Sequence, residues 1–323
     1  MKEMKALKEK VLAGGQLTME EARSLITVPL ALLSQGAEEI RAHFCEDKFD
    51  LCTIINGKSG RCTEDCKFCA QSAHHQTRVE EYPLLPTAAL VEGAKENQRK
   101  GVLRYSIVTS GKRISSKEVE ALAESIRAIK KETDISICAS LGLLTEKEYR
   151  LLKEAGLSRI HNNLETSERN FPNVCTTHTF AEKIRSIEAA LSAGLSVCSG
   201  GIMGLSETME DRIQMAFTLR DLGVDSIPIN ILNPIPGTPY EKNPVLSMEE
   251  VQRIVGIFRF ILPSSVIRLA GGRGLLADKG RSCFAGGANG AISGDMLTTA
   301  GISVKTDLAL IKELGFKAVR IHG

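Results

Sequence analysis

Short apolar runs alternate along the chain with longer stretches whose apolar positions recur every three or four residues. The short runs predict buried strands and the longer stretches predict amphipathic helices. Strands are expected near 51–56, 102–109, 135–140, 159–164, 196–203, 226–232, 266–270 and 290–294. Helix and strand are repeatedly joined by a Gly, at Gly101, Gly156, Gly194, Gly223 and Gly315. Gly just past a helix suits the left-handed position that a Cβ would penalise. Helix starts carry capping boxes at Thr18-x-x-Glu21, Ser115-x-x-Glu118, Thr145-x-x-Glu148 and Ser247-x-x-Glu250.

Continuous apolar strands alternating with helices imply parallel βαβ units. Eight of them predict an α/β fold, a (β/α)8 TIM-type barrel. A doubly wound sheet is the alternative, but the first strand lacks the Gly-x-Gly-x-x-Gly turn of its dinucleotide-binding version. Residues 1–49 read as an N-terminal helical extension, 50–300 as the barrel and 301–323 as a helix/strand segment closing the same domain. No linker or low-complexity segment points to a further domain.

Charge changes this picture little. Lys plus Arg number 41 and Asp plus Glu 39, a net +2 that gives no electrostatic case for nucleic acid or membrane binding. No apolar stretch approaches the ~20 residues that span a bilayer, and Met1 to Lys10 lack a signal-peptide pattern. A cytoplasmic protein is expected. Nine cysteines then stand out. In a reducing compartment they are more often ligands or catalytic groups than disulfides.

Three of them sit on one segment, Cys62-Thr-Glu-Asp-Cys66-Lys-Phe68-Cys69. Thiolates suit iron–sulfur clusters and zinc. A structural zinc needs a fourth ligand, which His74 or His75 is placed to supply. On a four-iron cluster, three thiolates leave one iron open to a chelating small molecule.

The spacing C-x3-C-x2-C with an aromatic before the last Cys resembles the radical S-adenosylmethionine (SAM) enzymes. Gly60-Arg-Cys-Thr-Glu-Asp-Cys-Lys-Phe-Cys-Ala-Gln-Ser, Val197-Cys-Ser-Gly-Gly-Ile-Met-Gly, Ser226-Ile-Pro-Ile-Asn, Gly237-Thr-Pro and Ile267-Arg-Leu-Ala-Gly-Gly-Arg together resemble the biotin synthases, from about Ala6 to Val319. That resemblance implies a full or partial barrel and a [4Fe–4S] cluster on Cys62, Cys66 and Cys69. SAM would bind the open iron, with Phe68, Asn163, Glu165, Gly201 and Ile202 around it. It further implies sulfur insertion into dethiobiotin by a radical from SAM, with an auxiliary iron–sulfur cluster as sulfur donor. Asn230 would meet the ureido ring, and His161 stands where an Asn contacts substrate. A flavodoxin or ferredoxin donor and a homodimer are the family expectation. No catalytic side chain beyond the cofactors is implied.

For the auxiliary cluster the resemblance assigns Cys138, Cys198 and Arg268. A third cysteine is missing, because Ser106 stands on the second strand. Cys175, on the loop after the fourth strand, is the candidate replacement. The usual [2Fe–2S] cluster or a larger cubane are the alternatives. Cys45, Cys52 and Cys283 read as small buried hydrophobes, and Arg273 as a surface charge. Rival readings are a related radical enzyme, a metallocluster maturase or a mutase, and a zinc-binding barrel protein.

Overall fold

The computed structural model describes residues 2–321. Ten strands follow in order: β1 Lys48–Lys58, β2 Arg104–Thr109, β3 Ser136–Ser140, β4 Arg159–His161, β5 Ser196–Cys198, β6 Gly201–Met203, β7 Ser226–Ile231, β8 Val266–Leu269, β9 Gly290–Ser293 and β10 Lys317–Ala318. β1, β2, β3, β4, β5, β7, β8 and β9 pair in parallel in that sequence, and β9 returns to β1 to close a TIM-type (β/α)8 barrel. The closing register sets Cys52 beside Ile292.

Helices α1 Lys2–Leu12, α2 Met19–Ser24 and α3 Leu30–Cys45 precede the barrel. Around it run α4 Thr87–Arg99, α5 Ser116–Glu132, α6 Glu146–Ala155, α7 Phe171–Val174, α8 Phe180–Ser192, α9 Met209–Asp221, α10 Met248–Ile261, α11 Arg281–Phe284 and α12 Val304–Glu313. The five joining glycines all take positive φ, from 71° at Gly223 to 110° at Gly156. The boxes at Thr18, Ser115 and Thr145 form as expected, and further ones form at Thr179 and Thr208. At Ser247 only half forms, because the Glu250 carboxylate turns to Arg212 Nη1, 2.6 Å away.

The expected strand 196–203 is broken in two. Asn163 Oδ1 accepts the Gly200 N–H at 3.1 Å in place of a neighbouring strand. A Cβ on Gly200 would lie 2.0 Å from the Pro228 carbonyl oxygen, so only Gly lets β7 approach there.

The lower barrel interior is charged. Asp50 accepts from Arg104 Nε and Arg268 Nη2 at 2.9 Å each, and all three side chains are buried. The last described residue, Ile321, donates its N–H to Asp50 and accepts from Arg104 and Arg159. Burial alone would raise the Asp50 carboxyl, but Arg268, Arg104 and Arg159 hold it well below the usual carboxylate range. Arg273 is a correction: it is buried and forked onto Asp307 of α12, not a surface charge. The partner is far along the chain, so the sequence motif alone hides it.

Candidate active site

β1 delivers the chain to the upper barrel face, where the cysteine loop begins. Gln71 ties that loop, its side chain accepting from Gly60 N–H at 2.9 Å and its carbonyl from Cys62 N–H at 3.0 Å. Cys69 N–H donates to Cys66 carbonyl at 2.9 Å. His74 and His75 place Nε2 on the carbonyls of Thr63 and Cys66, 3.0 Å each. Each ring thus folds back on the loop's own backbone through Nε2.

Cys69 and Phe68 line a cavity of about 320 Å³ inside the barrel mouth. An adjoining one of about 190 Å³ carries Cys62 and Cys66 and shares Phe68, Asn163, Glu165 and His161 with it. So one loop brings three thiols and an aromatic ring to a continuous recess. Asn163 Nδ2 donates to Glu165 Oε2 at 3.3 Å. Glu165 takes a left-handed φ of 70° and bridges to Gly201, while Ile202 N–H donates to its carbonyl at 2.8 Å. Ile202 lines the larger cavity. Gly201 lies behind it, where a Cβ would stand 2.5 Å from the Glu165 carbonyl oxygen.

Deeper in the larger cavity the strands present Cys52 from β1, Cys138 from β3, His161 from β4, Cys198 from β5 and Arg268 from β8. Cys52 is the residue that sequence reasoning passed over. Its signal was the period-two alternation of Asp50, Cys52 and Ile54, which puts one face of β1 inward. Ser106 of β2 is buried beside Cys138 in register. Ser226 Oγ links Cys198 Sγ at 3.3 Å to Arg268 Nε at 3.2 Å. Burial would raise the Cys198 thiol, but its hydrogen bond with His161 and the fields of His161, Arg268 and Arg159 draw it down to about 7. Burial pushes the Cys138 and Cys52 thiols up. Arg268 keeps its charge against burial because Asp50 faces it. Its Nη1 is buried without a hydrogen-bond partner among the described residues.

Asn230 spans two backbones, Oδ1 accepting from Gly271 N–H at 2.9 Å and Nδ2 donating to the Gly201 carbonyl at 3.1 Å. One N–H and one lone pair remain for a ligand in the cavity that it lines.

Cys175 is not grouped with Cys138 and Cys198, contrary to expectation. It caps α7 above the barrel and packs against Cys66, with Asp65 Oδ1 and His178 Nδ1 each 3.2 Å from its sulfur. The short helix carries the loop outward over the cysteine segment rather than down into the barrel. Hydrogen bonding to Cys66 draws the Cys175 thiol down to about 4 against burial, and the same bond pushes Cys66 up.

Two family models match the chain: the Radical SAM superfamily over residues 58–219 and the Biotin and Thiamin Synthesis associated domain over 228–317. A biotin synthase of Akkermansia muciniphila is 56% identical over 312 residues, 97% of each chain. The chain belongs to the biotin synthase family. A biotin synthase of Brachyspira hyodysenteriae is 55% identical over 311 residues, covering 96% of this chain and 93% of that one. "Biotin synthase 2" of Corynebacterium diphtheriae is 53% identical over 317 residues, covering 98% and 96%. Among solved structures, a methylornithine synthase superposes with a TM-score of 0.84 at 20% identity over 97% of both chains. The [FeFe]-hydrogenase maturase of Carboxydothermus hydrogenoformans gives 0.82 at 18%, over 98% of this chain and 79% of that one. At such identity these two likenesses are of fold. Family membership makes the chain an enzyme of the radical SAM class, which implies a [4Fe–4S] cluster and SAM.

Proposed function

We propose that this enzyme converts dethiobiotin to biotin, with the SAM-binding cluster on Cys62, Cys66 and Cys69 and the auxiliary cluster on Cys52, Cys138 and Cys198. The observation that carries the reading is the convergence of those three strand thiols and Arg268 on the cavity that Cys69 and Phe68 also line. The residues fit the groups: thiols are the ligand type iron–sulfur clusters take, and Arg268 Nη1 is a buried donor with no hydrogen-bond partner among the described residues. When bound, reduced cluster and SAM supply a radical able to take hydrogen from an unactivated carbon, and the auxiliary cluster supplies sulfide.

The chain's own residues position and enclose. Phe68 and Ile202 give apolar walls, and Asn163 and Glu165 offer an amide and a carboxylate suited to ribose hydroxyls. The spare N–H and lone pair of Asn230 match the acceptor and donor of a cyclic urea. His161, paired in register with Cys198 on the same cavity, belongs to the auxiliary site more than to the substrate. Arg268, held charged by Asp50, would offer its unpartnered Nη1 as a donor to the cluster and offset its negative charge. A barrel interior of this kind excludes water from reactive intermediates.

Three thiolates without a fourth protein thiolate favour a cubane with one distinctive iron over an ordinary [2Fe–2S]. A flavodoxin or ferredoxin donor, a homodimer and a cytoplasmic location complete the reading. The location suits nine cysteines of which none is disulfide-bonded. Iron and sulfide counts with Mössbauer spectra of wild type and Cys52→Ala test it. The wild type is expected to hold two cubane-type signals, and the variant to lose one while still cleaving SAM. An unchanged auxiliary signal in Cys52→Ala overturns the ligand assignment.

A further inference from the structure

Beside the cysteine loop lies a cluster that joins Cys66 to two residues the reaction does not use, Cys175 and His178. Cys175 and His178 sit three residues apart on the loop after α7, and Cys66 faces them. The sulfurs of Cys66 and Cys175 and Nδ1 of His178 lie within 4.8 Å of one another, with Cys175 and His178 buried. Cys175 Sγ is 3.2 Å from His178 Nδ1 and 3.2 Å from Asp65 Oδ1. Tetrahedral zinc with bonds of ~2.3 Å to sulfur and ~2.0 Å to nitrogen requires ligand atoms roughly 3.3–3.8 Å apart. The cluster therefore needs little movement to close on an ion.

The loop is also held in place before any ion arrives. Asp65 Oδ1 accepts the N–H groups of Thr176 at 2.8 Å and Thr177 at 3.2 Å. Glu64 Oε2 lies 2.6 Å from His178 Nδ1, a hydrogen bond that the ion would replace. A buried thiol that merely fills space would have apolar neighbours, and Cys175 has a carboxylate, a hydroxyl, an imidazole and a second thiol.

We propose that the cluster-free chain binds one thiophilic divalent ion, Fe²⁺ or Zn²⁺, on Cys66, Cys175 and His178, with water as the fourth donor. Binding is ligand exchange: waters leave the ion, the thiol protons pass to buffer, His178 ligates through Nδ1 as a neutral imidazole with its proton on Nε2, and no electron moves. Because Cys66 lends the same sulfur, the ion and the SAM-binding cluster exclude each other. This exclusion rests on the cluster assignment above, whereas the ion site itself does not.

The test uses full-length, cluster-free protein with Cys52, Cys62, Cys69, Cys138 and Cys198 each changed to Ser, titrated anaerobically with Co²⁺. One equivalent is expected to give thiolate-to-cobalt charge transfer and the visible bands of a tetrahedral site. Adding Cys175→Ser or His178→Phe is expected to weaken binding beyond the roughly 10–100-fold seen on losing an outer-shell partner. Circular dichroism verifies folding. No stoichiometric uptake, or uptake indifferent to both changes, overturns the proposal.

A second arm needs no multiple variant. One equivalent of Zn²⁺ added to the cluster-free wild type is expected to slow rebuilding of the brown cluster chromophore, and Cys175→Ser to relieve the delay. Equal slowing in both chains overturns the exclusion and leaves the cobalt result to judge the site.

Discussion

Asp50→Asn is the sharpest probe of how the barrel interior is held. The wild-type carboxylate accepts from the buried Arg104 and Arg268 at 2.9 Å and from the part-buried Ile321 N–H at 3.0 Å. The amide keeps the shape, loses the charge and turns an N–H towards a guanidinium. Removing one partner of a buried pair costs about 3–5 kcal/mol, because the remaining charge stays desolvated. At the ~2–4 °C per kcal/mol typical of domains of about 150–250 residues, the melting temperature is expected to fall by about 6–20 °C. Thermal unfolding followed by circular dichroism under anaerobic conditions reads it. The pH dependence carries a second signature. The Asp50 pKa is lowered on folding, so its contribution is complete above the unfolded value of ~3.9 and fades as pH falls below it. The gap between wild type and variant should stay level near neutrality and narrow below about pH 4. A melting temperature within about 2 °C of wild type at pH 7 refutes the view that Asp50 organises the arginines.

Asn230→Ala should raise KM for dethiobiotin about tenfold or less, the scale of one or two neutral hydrogen bonds, with SAM cleavage without substrate unchanged; steady-state kinetics decides it. Gly200→Ala should destabilise the barrel by ~1–3 kcal/mol through overpacking, since its Cβ would meet the Pro228 backbone at 2.0 Å; a denaturant midpoint unmoved from wild type would speak against that contact.

Local signals carried the fold. Gly positions after helices and reciprocal caps are set by a few neighbouring residues; the glycines read correctly from Gly101 to Gly315, and three of the four expected boxes form. The cysteine loop was legible for the same reason, with three thiols within eight residues. The interior site was legible only in part. Cys52, Cys138 and Cys198 come from three strands, and only barrel closure turns Cys52 onto the same cavity. Cys175 was misplaced because the direction in which α7 leads its loop is a tertiary matter. Arg273 misled for a related reason: its partner Asp307 lies 34 residues on. His161 lines the cavity as expected, yet its place beside Cys198 needs the register of β4 against β5.

The central claim is sulfur insertion at this barrel cavity. Anaerobically reconstituted protein incubated with SAM, a strong reductant and dethiobiotin, with products read by mass spectrometry, tests it most directly. Biotin is expected, with 5′-deoxyadenosine in excess over it because two C–H bonds must be opened. Deoxyadenosine without biotin, from protein carrying its full iron and sulfide, contradicts the account.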